Sequence, residues 1–110
     1  MSDEIQELLE DILTEARSVK NFVSDHTLDS YRADKKTRFA VERCFEIIGE
    51  ALTRIRKNSP DIMESIRDYR SIKSFRNLIA HAYDHIDDKL VWGIIENNLD
   101  NLIEDVQRLK

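Results

Sequence analysis

The sequence is poor in the residues that break helices or cross-link chains. Its 110 residues include two glycines, one proline and one cysteine. So few turn-formers exclude a many-stranded fold, and the single Cys44 excludes an internal disulfide. Cys44 stands among Val41, Phe45 and Ile48, which predicts a small buried hydrophobe rather than a nucleophile. Because the chain has no apolar N-terminal run, we expect a cytoplasmic protein with no membrane partner.

Metal ligands are also scarce. The three histidines, His26, His81 and His85, lack cysteine or histidine partners at the spacings of a recognisable zinc site. There is no glycine-rich phosphate loop and no internal repeat. We therefore predict no metal and no cofactor.

Apolar residues recur at three- and four-residue steps, the period of an amphipathic helix. Ser2, Thr27 and Asp87 are residues that cap helices, and Ser59 followed by Pro60 is a typical cap and first turn. The predicted helices, apart from a short capped turn at Thr27 in a polar connection, are residues 2–23, 35–57, about 60–66, 69–82 and 87–110. This pattern predicts an all-α fold, an antiparallel four-helix bundle with one or two extra short helices, in a single domain of residues 1–110.

Charge is unevenly distributed along the chain. The formal net charge is −5, which argues against general coating of nucleic acid. Counted along the sequence, however, residues 1–30 carry −6, residues 31–76 carry +5 and residues 77–110 carry −4. A basic middle between acidic ends can focus an anionic ligand onto one face, although a solvated helix surface of mixed charge also explains such runs.

The segment Arg76-Asn77-Leu78-Ile79-Ala80-His81-Ala82-Tyr83 concentrates the most chemistry. An arginine that can grip a phosphate and a histidine that titrates near neutrality are the parts needed to cleave RNA without a metal. At about 100° per residue, Lys73, Asn77 and His81 fall on the side of the helix opposite its apolar residues, and Tyr83 returns to within about 20° of Arg76. A strip on one helix is not a pocket, so we expect two copies to pair around a two-fold axis.

Three stretches carry a resemblance to a known family. The spacing of Arg76, His81 and Tyr83, with Asn77 directly after the arginine, resembles the mark of the HepT family, a branch of the HEPN (higher eukaryotes and prokaryotes nucleotide-binding) superfamily. Two other stretches are similar to that family's second-helix signature and to the opening of its last helix. They are Val41-Glu42-Arg43 through Ile47-Ile48-Gly49-Glu50-Ala51, and Val91-Trp92.

The resemblance implies an HEPN-like helical homodimer that is the toxin of a toxin–antitoxin system and cuts RNA without a metal. It makes Arg76 and His81 catalytic. It also implies that the cognate antitoxin, a minimal nucleotidyltransferase, adds AMP to Tyr83. A bulky anionic adduct beside His81 would occupy the cleft and repel RNA phosphates.

In the mechanism that we favour, His81 deprotonates a ribose 2′-hydroxyl or protonates the leaving 5′-oxygen, while Arg76 stabilises charge on the phosphoryl oxygens. Asn77 and Lys73 are supporting residues, which position the reacting groups and attract the substrate. The alternative is a non-catalytic dimeric subunit that binds a nucleotide or docks a nucleotidyltransferase. A purely structural bundle is a third reading, which leaves the cluster from Arg76 to Tyr83 as a coincidence.

Overall fold

The computed structural model describes residues 2–72 and 86–110, and these residues form helices and short connections with no strand among them. The all-α prediction is confirmed. The elements are α1 (Asp3–Phe22), α2 (Leu28–Ala33), α3 (Lys35–Asn58), α4 (Pro60–Met63), α5 (Asp88–Asn97) and α6 (Leu99–Leu109). Residues 69–72 are also helical, which agrees with the predicted start of the third main helix; the predicted remainder, residues 73–82, lies outside the described residues.

Polar side chains begin the helices where the sequence predicts. The Ser2 hydroxyl accepts a hydrogen bond from the backbone N–H of Ile5, and Thr27 forms a reciprocal capping box with Ser30. The carboxylate of Asp87 accepts from the N–H groups of Lys89 and Leu90. These caps satisfy donors that have no partner inside a helix, so each fixes where its helix begins.

The core is built on α1, which packs chiefly against α3 and also against α6. The buried residues of α1 follow the predicted apolar stripe and are Ile5, Leu8, Leu9, Ile12, Leu13, Ala16 and Val19. Two ion pairs give the direction of α6. Lys20 Nζ lies 2.7 Å from Asp100 Oδ1, and Lys110 pairs with Glu10, so α6 runs antiparallel to α1.

The structure corrects the predicted last helix, which ends and restarts at Asn98 rather than running unbroken from residue 87. Asn98 has φ −120° and ψ −28°, away from the helical values, although its N–H still bonds to the carbonyl of Ile94. The break gives α5 and α6 separate directions. It lets α5 pack near α2, while α6 lies along α1.

Smaller differences occur at helix ends and along α3. The helix α4 ends at Met63 rather than near residue 66, and the side chain of Ser59 makes no capping hydrogen bond. Phe22, the last residue of α1, is 41% exposed, whereas Val23, which follows it, is buried. On α3 the fully buried Phe45 belongs to the core, whereas Ile47 is only partly buried.

No helix within the described ranges is long and apolar enough to cross a membrane.

Tyr31 joins α2 to α5 through an aromatic contact. Its fully buried ring lies 5.5 Å from that of Trp92 at a tilt of 54°, and Trp92 is partly buried against the core. Burial, followed by the negative charges of Glu42 and Asp88, raises the pKa of Tyr31, so its phenol stays protonated. Within the part of the chain that the structure describes, the buried hydroxyl has no hydrogen-bond partner.

Tyr31→Phe should therefore be neutral or stabilising by up to about 1 kcal/mol, because it removes a buried polar group that makes no hydrogen bond to any described residue. The measurement is the free energy of unfolding in urea. Tyr31→Ala is the control, and it should cost about 3 kcal/mol or more, since it also removes the ring. A clear loss of stability in Tyr31→Phe would mean that the hydroxyl has a partner.

Candidate functional site

The residues to which the sequence assigns the chemistry are Arg76, His81, Asn77, Lys73 and Tyr83, and all five lie outside the described residues. Their roles stay predictions. The structure describes the chain on both sides of this segment, up to residue 72 and from residue 86. Ile72 is fully buried, and Ile86 is partly buried against the same core. The motif is thus bounded on each side by a residue that the core holds.

Asp105 on α6 binds Arg67, which lies shortly before Ile72. Its Oδ2 accepts from the backbone N–H of Arg67 at 3.0 Å, and its two oxygens accept from the guanidinium Nε at 3.1 Å and Nη2 at 2.9 Å. Arg108 Nη2 also donates to Asp105 Oδ1, at 2.6 Å. The forked contact fixes the orientation of the Arg67 side chain, and the backbone contact fixes the position of the main chain.

A second contact from α6 lies one residue further along. Asn101 Nδ2 donates to Asp68 Oδ2 at 3.0 Å, and the carbonyl of Asp68 accepts from the N–H of Ile72 at 3.4 Å. Asp68 therefore stands at the cap of the helix that begins at residue 69. We call these contacts of Asp105 and Asn101 with Arg67 and Asp68 the α6 clamp.

The carboxylate of Asp105 is charged in the folded protein. Burial raises the pKa of this side chain, which is 1% exposed, but the hydrogen bonds from Arg67 and the charges of Arg67 and Arg108 outweigh burial and bring the pKa below its usual value. Glu104 also faces this group, with Oε1 3.3 Å from Arg67 Nη2 and 3.5 Å from Arg108 Nη2. Two cations thus lie between two carboxylates.

The structure also describes the surroundings of Cys44 and His26. Cys44 is 5% exposed, and burial followed by its contact with Glu15 raises the pKa of its thiol to about 12, which confirms the buried hydrophobe. His26 Nδ1 lies 2.9 Å from the hydroxyl of Ser30, and its Nε2 lies 3.6 Å from Asp34, the residue that caps α3. Across the described residues, no group of three or more His, Cys, Asp or Glu side chains could hold a metal ion.

Sequence reasoning missed Asp105 and Arg67. The run Glu104-Asp105 reads as a solvated pair, since a charged helix face is the commoner state of such residues. One signal was available. Asp105 follows Leu102 by three residues and directly precedes Val106, both fully buried, so it borders the apolar face of α6. Its partner is 38 residues away in the chain, and no local pattern identifies it.

Comparison with known proteins points to one family of ribonucleases. A family model described as "Ribonuclease HepT-like" matches residues 12–109. A candidate RNase of Methanocaldococcus jannaschii is 31% identical over 111 residues, which cover 96% of this chain and 87% of the relative. A protein of Thermococcus cleftensis named as a probable ribonuclease HepT is 29% identical over 108 residues, which cover 96% of this chain and 94% of the relative. No solved structure gives a significant match.

The α6 clamp should contribute to the free energy of unfolding. Asp105→Ala should lower the free energy of unfolding by about 2 kcal/mol, because it leaves a backbone N–H and charged donors without their buried acceptor. Asp100→Ala is a matched control on the same helix. Its exposed pair with Lys20 should contribute about 1 kcal/mol at most. Equal effects of the two substitutions in urea unfolding would contradict a special role for Asp105.

The contribution of Asp105 should depend on pH with a defined sign. Folding lowers the pKa of Asp105, so the stabilisation is complete above the unfolded carboxyl pKa of about 3.9 and is lost as the pH falls through the lower folded value. The difference in unfolding free energy between wild type and Asp105→Ala should thus be constant near neutrality and shrink in acid. A difference that grows in acid would have the wrong sign.

Proposed function

This chain belongs to the HepT-like ribonuclease family, and on that premise we propose that it is a metal-independent RNA endonuclease, the toxin of a toxin–antitoxin pair. The observation that carries the proposal is the match over residues 12–109, which includes the whole segment from Arg76 to Tyr83. Relatives named as ribonucleases, aligned over nearly the full chain, support the choice of RNA as substrate.

The chemistry follows from the side chains of the motif. His81 takes the proton of a ribose 2′-hydroxyl, the 2′-oxygen attacks the adjacent phosphorus, and the 5′-oxygen leaves with a proton. Arg76 stabilises the charge that builds on the phosphoryl oxygens. The products are a 2′,3′-cyclic phosphate and a 5′-hydroxyl, and no metal is needed to balance the reaction. DNA lacks the attacking oxygen and is not cut.

We propose that the active form is a homodimer. The reaction needs one group to take a proton and another to give one, whereas each chain offers one motif histidine in addition to the flanking His85. Two chains paired around a two-fold axis supply two copies of His81 and Arg76 to one cleft. Asn77 and Lys73 then orient and attract the RNA backbone.

The proposed regulator is a minimal nucleotidyltransferase that transfers AMP from ATP to the Tyr83 hydroxyl, with release of pyrophosphate. The adduct adds a negative charge and a bulky nucleotide two residues from His81. Both repel or displace the phosphate of the substrate. The residue types and their spacing support this proposal, because the phenol is the one acceptor of its kind within the motif.

Catalysis by His81 predicts that His81→Ala slows the cleavage of labelled RNA by about 100-fold or more, the usual effect of losing a general acid or base. The assay uses purified protein in excess EDTA, with intact mass confirming that Tyr83 is unmodified. His26→Ala is the control, since His26 is engaged with Ser30 and Asp34, and it should cut at the wild-type rate.

Full activity in His81→Ala would remove this residue from the mechanism. Activity that EDTA abolishes and divalent ions restore would overturn metal independence. A folded, unmodified wild type that cuts no RNA would favour the binding-subunit alternative.

Modification at Tyr83 predicts that wild type, incubated with the cognate nucleotidyltransferase and ATP, gains the mass of one or more AMP groups and loses cleavage activity. Tyr83→Phe should gain no mass, because the acceptor oxygen is gone. Tyr69→Phe, just outside the motif, is the control and should be modified as wild type is. Mass gained by Tyr83→Phe would place the modification on another residue.

A further inference from the structure

The charged cluster around Asp105 is an unusual feature of this small core. Asp105 is the one fully buried charged side chain in the described ranges, at 1% exposure. Taking a carboxylate out of water is costly, and hydrophobic residues of similar size often stabilise a fold as well or better than a buried ion pair. A carboxylate at this site therefore calls for a reason beyond stability.

The geometry of the cluster gives a reason for a buried carboxylate at this site. Asp105 binds both the main chain and the guanidinium of Arg67, and Asn101 binds the next residue, Asp68. The helix that begins at residue 69 is thus held at its first turn by directional contacts. Hydrophobic packing alone, through Ile66 and Ile72, would leave that helix more freedom to rotate or slide.

This first turn lies close in sequence to the proposed catalytic residues. Arg76 follows Ile72 by four residues, and His81 follows by nine. A displacement of about 1 Å at reacting groups can cost 100-fold in rate. Contacts that fix the start of this helix are therefore well placed to control the alignment of the residues that follow it in the chain.

We propose that Asp105 is a positioning residue which, through Arg67, sets the register of the helix that begins at residue 69 and so aligns Arg76 and His81 for RNA cleavage. This inference rests on the proposed function. Asp105 is not itself a catalytic residue, since its oxygens are occupied by Arg67 and Arg108.

A competing role for Arg67 is direct contact with an RNA phosphate, because its side chain is 51% exposed. The surroundings disfavour that role. Its guanidinium donates to Asp105 and lies 3.3 Å from Glu104, so its charge is balanced by two carboxylates. Removing a side chain that binds a phosphate lowers the salt dependence of RNA binding, whereas removing a positioning residue does not.

The test measures cleavage of labelled RNA by wild type, Asp105→Ala and Arg67→Ala, at a temperature where circular dichroism shows each protein to be folded. Both variants should lose about tenfold or more in kcat, with KM and the slope of binding against salt nearly unchanged. Asp100→Ala is the charge control. Val19→Ala, a fully buried site on α1, is the control for general destabilisation. Both controls should keep the wild-type kcat.

Wild-type kcat in folded Asp105→Ala would overturn the proposal. So would a raised KM with a shallower salt slope in Arg67→Ala alone, which would make Arg67 a phosphate ligand. A matching loss of kcat in Val19→Ala would reduce the effect to general destabilisation and also overturn it.

A second readout does not depend on activity. Amide resonances of residues 73–85 should shift in Asp105→Ala and Arg67→Ala but not in Asp100→Ala. If wild type cuts no RNA, the proposed function fails, while these shifts still decide whether the clamp sets the motif-bearing segment. Resonances that do not move would overturn the proposed role of the α6 clamp, whether or not RNA is cut.

Discussion

The contact between Asp105 and Arg67 joins α6 to the start of the helix that begins at residue 69. Asp105 lies on α6, which runs along α1, and Arg67 lies just before the described helical residues 69–72. The carboxylate is stabilised only while both its oxygens are hydrogen-bonded, since a buried charge without partners is costly. The core and the start of the helix at residue 69 are therefore coupled at this point.

The sequence predicted the fold where local signals are strong. The stripe from Ile5 to Val19 and the caps at Ser2, Thr27 and Asp87 depend on spacing and residue type alone, and the structure has them. The break at Asn98 was missed because asparagine is tolerated within helices, so the break reflects the separate packing of α5 and α6.

The candidate site was predictable to a different degree. The residue types and spacing from Arg76 to Tyr83 indicated the family, which the match over residues 12–109 confirms, while the positions of those side chains lie outside the described residues. Asp105 could not be assigned from sequence, because its role depends on a partner 38 residues away. Periodicity finds the faces of helices, but it does not find which charged groups meet when helices pack.

The order of Arg67, the motif and Asp105 along the chain has a consequence for synthesis. A ribosome makes the segment from Arg76 to Tyr83 before it makes Asp105, so the motif is translated while the acceptor of Arg67 does not yet exist. The helix that begins at residue 69 gains these contacts only after Asp105 has left the exit tunnel and α6 has docked on α1. A nascent chain that stalls before that point carries the motif residues without the clamp that we propose aligns them.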